Sequence, residues 1–157
     1  YDVNIFPEPA PIFSQIAILP GTDNRKMSKS YNNYINLSDP PEVIKQKVWG
    51  MVTDPARIRK TDPGHPEVCA VYAYQGFYNK EKQAEICANC TKGTIGCGEC
   101  KKMLTDKINA FLDPIREKRA YYENNPQILD EIIDDGNRAA RKVACETMEM
   151  VREAMKI

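Results

Sequence analysis

The sequence predicts a mainly α protein, with a short strand and a polar basic loop placed ahead of its helices. Two stripes at helical spacing carry the first half of that statement: Met103, Leu104, Ile108, Phe111, Leu112 and Ile115, and later Ile128, Leu129, Ile132, Ile133, Ala140, Val143, Thr147, Met150 and Val151. The third observation is the run IAIL at residues 16–19, apolar throughout and closed by Pro20-Gly21, which reads as a short buried strand. At 157 residues the chain can bury one sizeable core but is short for two independent domains.

The elements follow in order. Residues 3–13 carry apolar clusters broken by Pro7, Pro9 and Pro11, and residues 21–36 form a polar loop without a helical stripe. SDPPEV then gives a helix start, with Asp39 as cap, Pro40 at the first helical position and Glu42 as the acid that reaches back; the helix is expected to end near Met51. TDPARIRKTDPGHPE is turn-rich connection. Short helices are expected over 67–79 and 80–88, and TKGTIGCG as a loop. A helix after Cys100 reaches Glu123, kinked or divided by Pro114. Asn125-Pro126 opens the last helix, whose weak point is Gly136 and whose apolar side is expected to carry Cys145 into a core.

Composition excludes some function classes. Hydrophobic residues are 42% and charged residues 28%, no apolar run reaches the ~18 residues a membrane span needs, and the beginning of the chain has no signal-peptide pattern. YDVNIFPEPAP reads like the tail of an element that began earlier, so the chain is expected to be a piece of a longer protein. The net charge is zero, yet residues 25–60 hold eight Lys or Arg against three acids, a face suited to polyphosphate or nucleic acid if it is more than a solvated surface. Six cysteines without a secretion signal point to the cytoplasm, where clustered thiols bind metal or do redox work more often than they form disulfides.

Four of those cysteines fall in CANCTKGTIGCGEC at residues 87–100. Cys87, Cys90, Cys97 and Cys100 form two C-x2-C pairs that suit a tetrahedral zinc site. The same thiolates suit an iron–sulfur cluster, and reduced, unliganded thiols are the third reading. Gly93, Gly96 and Gly98 let the backbone approach the sulfurs closely, and Lys92, Lys101 and Lys102 could offset their charge or touch RNA. His65, the only histidine, reads as an exposed turn residue.

RKMSKS at residues 25–30 sets three cations and two hydroxyls on a loop flanked by Gly21, Asn24, Asn32 and Asn33. Lysines act on phosphate oxygens as mobile point charges, and hydroxyls and backbone N–H groups donate at shorter range. During displacement at the α-phosphate of ATP, negative charge grows on phosphorus and on the departing pyrophosphate, and positioned cations stabilise that state most.

FPEP, LPGTDNRKMSKSYNN, LSDPPEVIKQKV and MVTDPARIRKTDPGHPEVC together resemble the bacterial tryptophanyl-tRNA synthetases, class I aminoacyl-tRNA synthetases, and the likeness extends through VREAMKI. It implies that residues 1–36 are the C-terminal edge of a Rossmann catalytic domain with its KMSKS loop, and residues 37–157 a helical anticodon-binding domain. The nucleotide-binding domain with its HIGH-type motif and tryptophan pocket would lie N-terminal to this chain. The implied activity is that of tryptophan–tRNA ligase: ATP-dependent activation of tryptophan, with Mg2+, and transfer to tRNA(Trp) by a full-length homodimer. This chain alone is expected to be inactive. Lys26 and Lys29 take the catalytic roles, and Ile16, Lys26, Met27, Ser28, Lys29 and Ser30 the ATP contacts.

The resemblance also bears on the thiols. Some members carry a [4Fe–4S] cluster on one distant cysteine followed by C-x6-C-x2-C, which implies Cys69, Cys90, Cys97 and Cys100 as ligands and leaves Cys87 over. Zn2+ is the alternative, with Cys87 in place of Cys69. Arg57, Arg59, Lys60, Arg116, Arg119, Arg138 and Arg141 are the candidate tRNA contacts. The competing reading is a non-catalytic, metal-stabilised helical RNA-binding module; a ferredoxin-like electron carrier would leave RKMSKS unexplained.

Overall fold

The computed structural model describes residues 3–13 and 18–157. It is mainly helical: α1 (Pro41–Trp49), α2 (Ala70–Tyr78), α3 (Gln83–Thr91), α4 (Cys97–Glu123) and α5 (Pro126–Met155), with 3-10 turns at Lys29–Tyr31, Pro66–Val68 and Lys80–Lys82. The expected strand over 16–19 falls partly outside the described residues, and Ile18 and Leu19 are not in a strand. Residues 14–17 lie outside the described residues, Ile18 is 77% exposed, and the pairing among the described residues is one isolated antiparallel bridge between Pro20 and Lys26. A tight turn explains the bridge: Gly21 N–H donates to Arg25 O at 2.7 Å, so the backbone doubles back before a ladder can start.

Packing divides the chain into residues 14–117 and a second unit made of residues 1–13 with 118–157. The first unit holds the core. Ile44 and Val48 of α1 are one turn apart, and Leu104, Ile108 and Leu112 of α4 repeat every four residues, so each helix presents one apolar stripe. Met51, Val71 and Tyr74 close the cluster, and Leu19, Met27 and Ile35 pack against its rim. The basic loop is therefore seated on the helical core through Met27, and packing does not divide the chain at residue 36.

Several local expectations are corrected. Asp39 does not cap α1; the cap position is Pro40, with Pro41 in the first turn. The Asp39 carboxylate instead accepts from Asn36 N–H at 2.8 Å, Asn36 Nδ2 at 3.0 Å and Lys47 Nζ at 2.6 Å. Lys101 is a structural cap and not a free cation: its ammonium donates to Trp49 O at 2.7 Å and Met51 O at 2.9 Å, carbonyls at the negative end of α1. Pro114 does not divide α4. Its missing N–H leaves the Ala110 carbonyl without a helical partner, but both residues are exposed and water can take that place.

In the second unit α5 runs for 30 residues with no buried residue. Cys145, expected in a core, is exposed, as are Ile132, Ile133 and Val143 on the apolar stripe. Among the described residues no helix is long and apolar enough to cross a membrane.

Candidate functional site

Two places in the first unit gather chemistry-bearing side chains. One is the basic loop, whose shape depends on a residue outside the RKMSKS motif. Asn33 is only 3% exposed. Its Oδ1 accepts from Ser28 N–H at 2.8 Å, and its Nδ2 donates to Asp23 Oδ1 at 2.7 Å and to Lys26 O at 3.1 Å. A Cβ on Gly21 would fall 2.2 Å from Asn33 Nδ2 and 2.9 Å from the Asn33 carbonyl oxygen, so only glycine lets this carboxamide occupy the middle of the loop. Asn24 and Asn32 take positive φ of 65° and 50°, which asparagine tolerates.

The loop's cations differ in their commitments. Arg25 pairs with Asp23 at 2.6 Å and lies 4.6 Å over the Tyr31 ring. The Asn33 hydrogen bond, aided by Arg25, holds the Asp23 carboxyl at about 2 against the opposing effect of burial. Lys26 and Lys29 are exposed and have no ion-pair partner among the described residues. Ser28 Oγ and Ser30 Oγ share a 2.7 Å hydrogen bond. Two free ammonium groups on a backbone pinned by a buried amide could draw in and orient a polyphosphate. Ile16 lies outside the described residues.

The second place is a small cavity lined by Cys69, Cys90, Cys97 and Cys100 together with Thr53, Arg57 and apolar side chains. Its volume is about 20 Å³, room for about one water-sized body. Cys69 arrives as the residue before α2, Cys90 from the end of α3, and Cys97 and Cys100 from the first turn of α4. Cys87 does not line the cavity and lies by the Tyr72 hydroxyl. Among the described residues no group of three or more His, Cys, Asp or Glu side chains is arranged to hold a metal ion as it stands.

The polar groups around the sulfurs are donors. Arg57 Nη1 lies 3.7 Å from Cys90 Sγ and 3.8 Å from Cys97 Sγ, and Gln75 Nε2 lies 3.5 Å from Cys100 Sγ. Burial pushes the Cys69 and Cys90 thiols up and the Cys100 thiol up to about 11, with Arg57 opposing the shift at Cys90 and Gln75 opposing it at Cys100. Close backbone approach depends on two glycines. A Cβ on Gly64 would sit 2.6 Å from Cys90 Sγ, and Gly93, at φ +69°, would place one 2.3 Å from Thr61 O.

The basic residues expected to contact RNA separate into three kinds. Arg57, half-buried, directs its guanidinium to the Ile95 and Lys60 carbonyls, and Arg116 is committed to Asp39 O, Asn109 and Asp113. Arg119 and Arg138 are exposed in ion pairs with Glu123 and Asp135, and pairs of that kind are weak. Arg59, Lys60 and Arg141 are exposed without an ion-pair partner among the described residues. His65 is an exposed turn residue whose Nδ1 lies 2.8 Å from Asp54 Oδ2. Sequence reasoning missed Asn33, Asp23 and Gln75. Gly21 and Asn33 on either side of the basic run were the available signal for the first two, while nothing local marks Gln75.

A family model described as tRNA synthetases class I (W and Y) matches residues 1–113. A tryptophan–tRNA ligase of Aquifex aeolicus is 43% identical over 155 residues, covering 98% of this chain and 39% of that protein. The tryptophan–tRNA ligase of Thermotoga maritima is 45% identical, covering 100% of this chain and 48% of that protein. Among solved structures, the tryptophanyl-tRNA synthetase of Campylobacter jejuni complexed with ADP and tryptophan superposes with a TM-score of 0.77 at 32% identity, covering 90% of this chain and 44% of that one. The chain thus spans less than half the length of these relatives.

Proposed function

Because the chain belongs to the class I tRNA synthetase family of the tryptophan and tyrosine enzymes, we propose that it is the C-terminal part of a tryptophan–tRNA ligase, supplying the ATP loop and a tRNA anticodon surface. The observation that carries this reading is the pair of exposed lysines, Lys26 and Lys29, on a loop whose backbone is fixed by Asn33. The names of the relatives favour tryptophan over tyrosine.

In the full-length enzyme, the lysines meet the phosphates of Mg2+-bound ATP while the tryptophan carboxylate attacks the α-phosphorus and pyrophosphate departs. Their charge stabilises the departing group more than the bound substrate, so it lowers the barrier. The Ser28 and Ser30 hydroxyls, which share a hydrogen bond with each other, are the donors proposed for phosphate oxygens, and Met27 anchors the loop to the core. Ile16 is retained as an adenine contact. Residues 1–36 are the edge of the catalytic domain by descent, and residues 37–157 the anticodon domain. The full-length enzyme is a cytoplasmic homodimer, and Arg59, Lys60 and Arg141 are the first choices for tRNA phosphates.

The thiol cavity is proposed to hold a [4Fe–4S] cluster on Cys69, Cys90, Cys97 and Cys100, with Zn2+ on Cys87, Cys90, Cys97 and Cys100 as the alternative. Two features fit it: four thiols share one cavity, and the buried Arg57 Nε in its wall has no hydrogen-bond acceptor. The small volume means the walls must part to admit a four-iron cube. Such a centre would tie the Cys69 segment to α3 and α4, a cross-link between segments distant in sequence.

The test of the catalytic reading is tryptophan-dependent ATP–pyrophosphate exchange. The full-length enzyme is expected to catalyse it, with Lys29→Ala losing about 10²–10³-fold in kcat, the range for removing one transition-state donor. The 157-residue chain alone is expected to show none, and robust exchange by it would refute the reading. For the metal, iron and acid-labile sulfide in anaerobically purified protein support the cluster, and one zinc in colourless protein supports the alternative. The RNA-binding-module reading predicts salt-sensitive tRNA binding without any exchange in the full-length protein.

A further inference from the structure

The one tryptophan of the chain, Trp49, is the last residue of α1 and is 49% exposed. Its backbone is held in place, because Lys101 Nζ donates to Trp49 O at 2.7 Å. Its six-membered ring lies beside the start of α4, where a Cβ on Gly98 would stand 3.6 Å from it. Gly98 also lines an open cleft of about 470 Å³, together with Ile58, Arg59, Lys60, Gly96 and Glu99. Ile58 is 90% exposed, an apolar side chain between cations. Lys60 is held without its charge being spent: its carbonyl accepts from Arg57 Nη2, and its methylenes run along Gly96, the nearest 3.3 Å from where a Cβ would stand. The Lys60 ammonium and the Arg59 guanidinium are exposed and have no ion-pair partner among the described residues.

We propose that this cleft takes one unpaired RNA nucleotide, its base stacked on the Trp49 indole and its phosphate held by Arg59 and Lys60. The inference rests on the tRNA surface proposed above and names what that surface reads at this point. Three physical points carry it. A flat apolar face beside two free cations matches a nucleotide, which joins a planar base to an anionic phosphate; an acidic peptide offers the charge without an obligatory plane. A duplex keeps its base faces stacked inside, so only an unpaired base can lie on an indole. The cleft is also of the right size, since sites for small ligands run from about 300 to about 1,000 Å³.

Charge divides the cleft into two roles. Arg57, Arg59 and Lys60 line it against one acid, Glu99. Arg57 is committed to the Ile95 and Lys60 carbonyls, so an anion falls to Arg59 and Lys60. The exposed Glu99 carboxylate accepts and does not donate, so it repels a phosphate and suits the amino edge of a base. Gly96 and Gly98 leave the floor bare, and a side chain at Gly96 would press on the Lys60 methylenes.

The test uses the full 157-residue chain, in which tryptophan fluorescence reports Trp49 alone. The probes are tRNA(Trp), a short single-stranded RNA of mixed sequence, the same strand paired in a duplex, the same strand with abasic sites, and a short glutamate-rich peptide. Wild type, Trp49→Ala, Trp49→Phe and Lys60→Ala are compared, with folding checked by circular dichroism. The single strand should quench Trp49 at saturation, and the duplex and the abasic strand should not. Trp49→Ala should bind the single strand about tenfold more weakly, within the range for losing one stacked base, with its salt dependence unchanged, and Trp49→Phe should recover most of the loss. Lys60→Ala should instead lower the slope of log affinity against log salt by about 0.7, the loss of one phosphate contact on a single strand. A bound single strand that leaves Trp49 unquenched overturns the proposal, and that result needs no variant. A folded Trp49→Ala chain that binds as wild type overturns it as well. A peptide that quenches Trp49 and competes as well as the RNA overturns the nucleotide assignment. If wild type binds neither tRNA nor the single strand in a salt-sensitive way, the tRNA-surface reading fails and this inference with it. Salt-sensitive tRNA binding without quenching by the bound single strand defeats this inference alone.

Discussion

Replacing Asn33 with alanine separates the two things the loop does, holding its shape and presenting its charges. The carboxamide makes two bonds to loop backbone, from Ser28 N–H and to Lys26 O, and a third to Asp23. The two backbone bonds are neutral and each contributes about 1 kcal/mol net, so the variant should open the loop by about 2 kcal/mol, or roughly 30-fold. Amide hydrogen exchange at Ser28 reads that number directly. The third bond is read by NMR titration of the Asp23 carboxyl, held at about 2 mainly by Asn33. In Asn33→Ala it should climb part of the way toward the ordinary aspartate value of about 3.9, because Arg25 still pairs with Oδ2. The sign of the linkage follows. A carboxyl whose folded pKa is depressed contributes its stabilisation above its unfolded value of about 3.9 and loses it as pH falls through the folded value. The wild-type loop should therefore loosen between about pH 4 and about pH 2, and the variant should show less of that dependence. Unchanged Ser28 protection together with an Asp23 that still titrates near 2 would refute the hub. Gly21→Ala should reproduce the effect, since its Cβ displaces the same carboxamide.

Three other outcomes follow from the packing. Gly93→Ala forces a side chain into φ +69° and against Thr61 O, and should destabilise the first unit by at least about 1–2 kcal/mol in urea unfolding. Gly136→Ala is the opposite case: an added Cβ meets nothing within 4 Å in the middle of α5, so helicity by circular dichroism should rise and stability improve by about 1 kcal/mol. Burial raises the Asp39 carboxyl, but hydrogen bonds from Lys47 and Asn36 outweigh it and leave it below the usual range. Its stabilisation is thus present above the unfolded value of about 3.9 and lost as pH falls through the lower folded value, and Lys47→Met should flatten that acid limb in a stability-against-pH series.

The helices were legible because their information is periodic. Leu104, Ile108 and Leu112 announce a buried stripe whatever surrounds them, and all three lie in the core. The exposure of Lys26 and Lys29 follows from residue type, since lysines are almost never fully buried unless paired. What sequence could not supply was the direction of single polar side chains in irregular backbone. Asp39 looked like a cap from its place before two prolines, and only Asn36 and Lys47, brought in by folding, decide that its carboxylate turns elsewhere. Arg57 and Arg59 stand two residues apart in the same turn, yet one faces the sulfurs and the other faces water. Asn33, inside SYNNY, has the composition of a solvent loop and is buried because Gly21 leaves room for it.

The boundary expected at residue 36 shows the same distinction at larger scale. A division by descent and a division by packing need not coincide, and here the base of the basic loop is bonded into the helical unit. Val52 N–H donates to Thr22 O at 2.9 Å, Ala70 N–H to Val52 O at 3.2 Å, and Asn24 Nδ2 to Val68 O at 3.0 Å. Tyr74, nearly fully buried in α2, donates its hydroxyl to Pro20 O at 2.8 Å, and burial pushes its pKa upward so that it stays a donor. These bonds run from the foot of the loop to the backbone on either side of Cys69. A loop proposed to grip and release phosphates needs a fixed base as well as exposed lysines. The segment that brings Cys69 to the thiol cavity also supplies that base, so the two candidate sites share one rigid support.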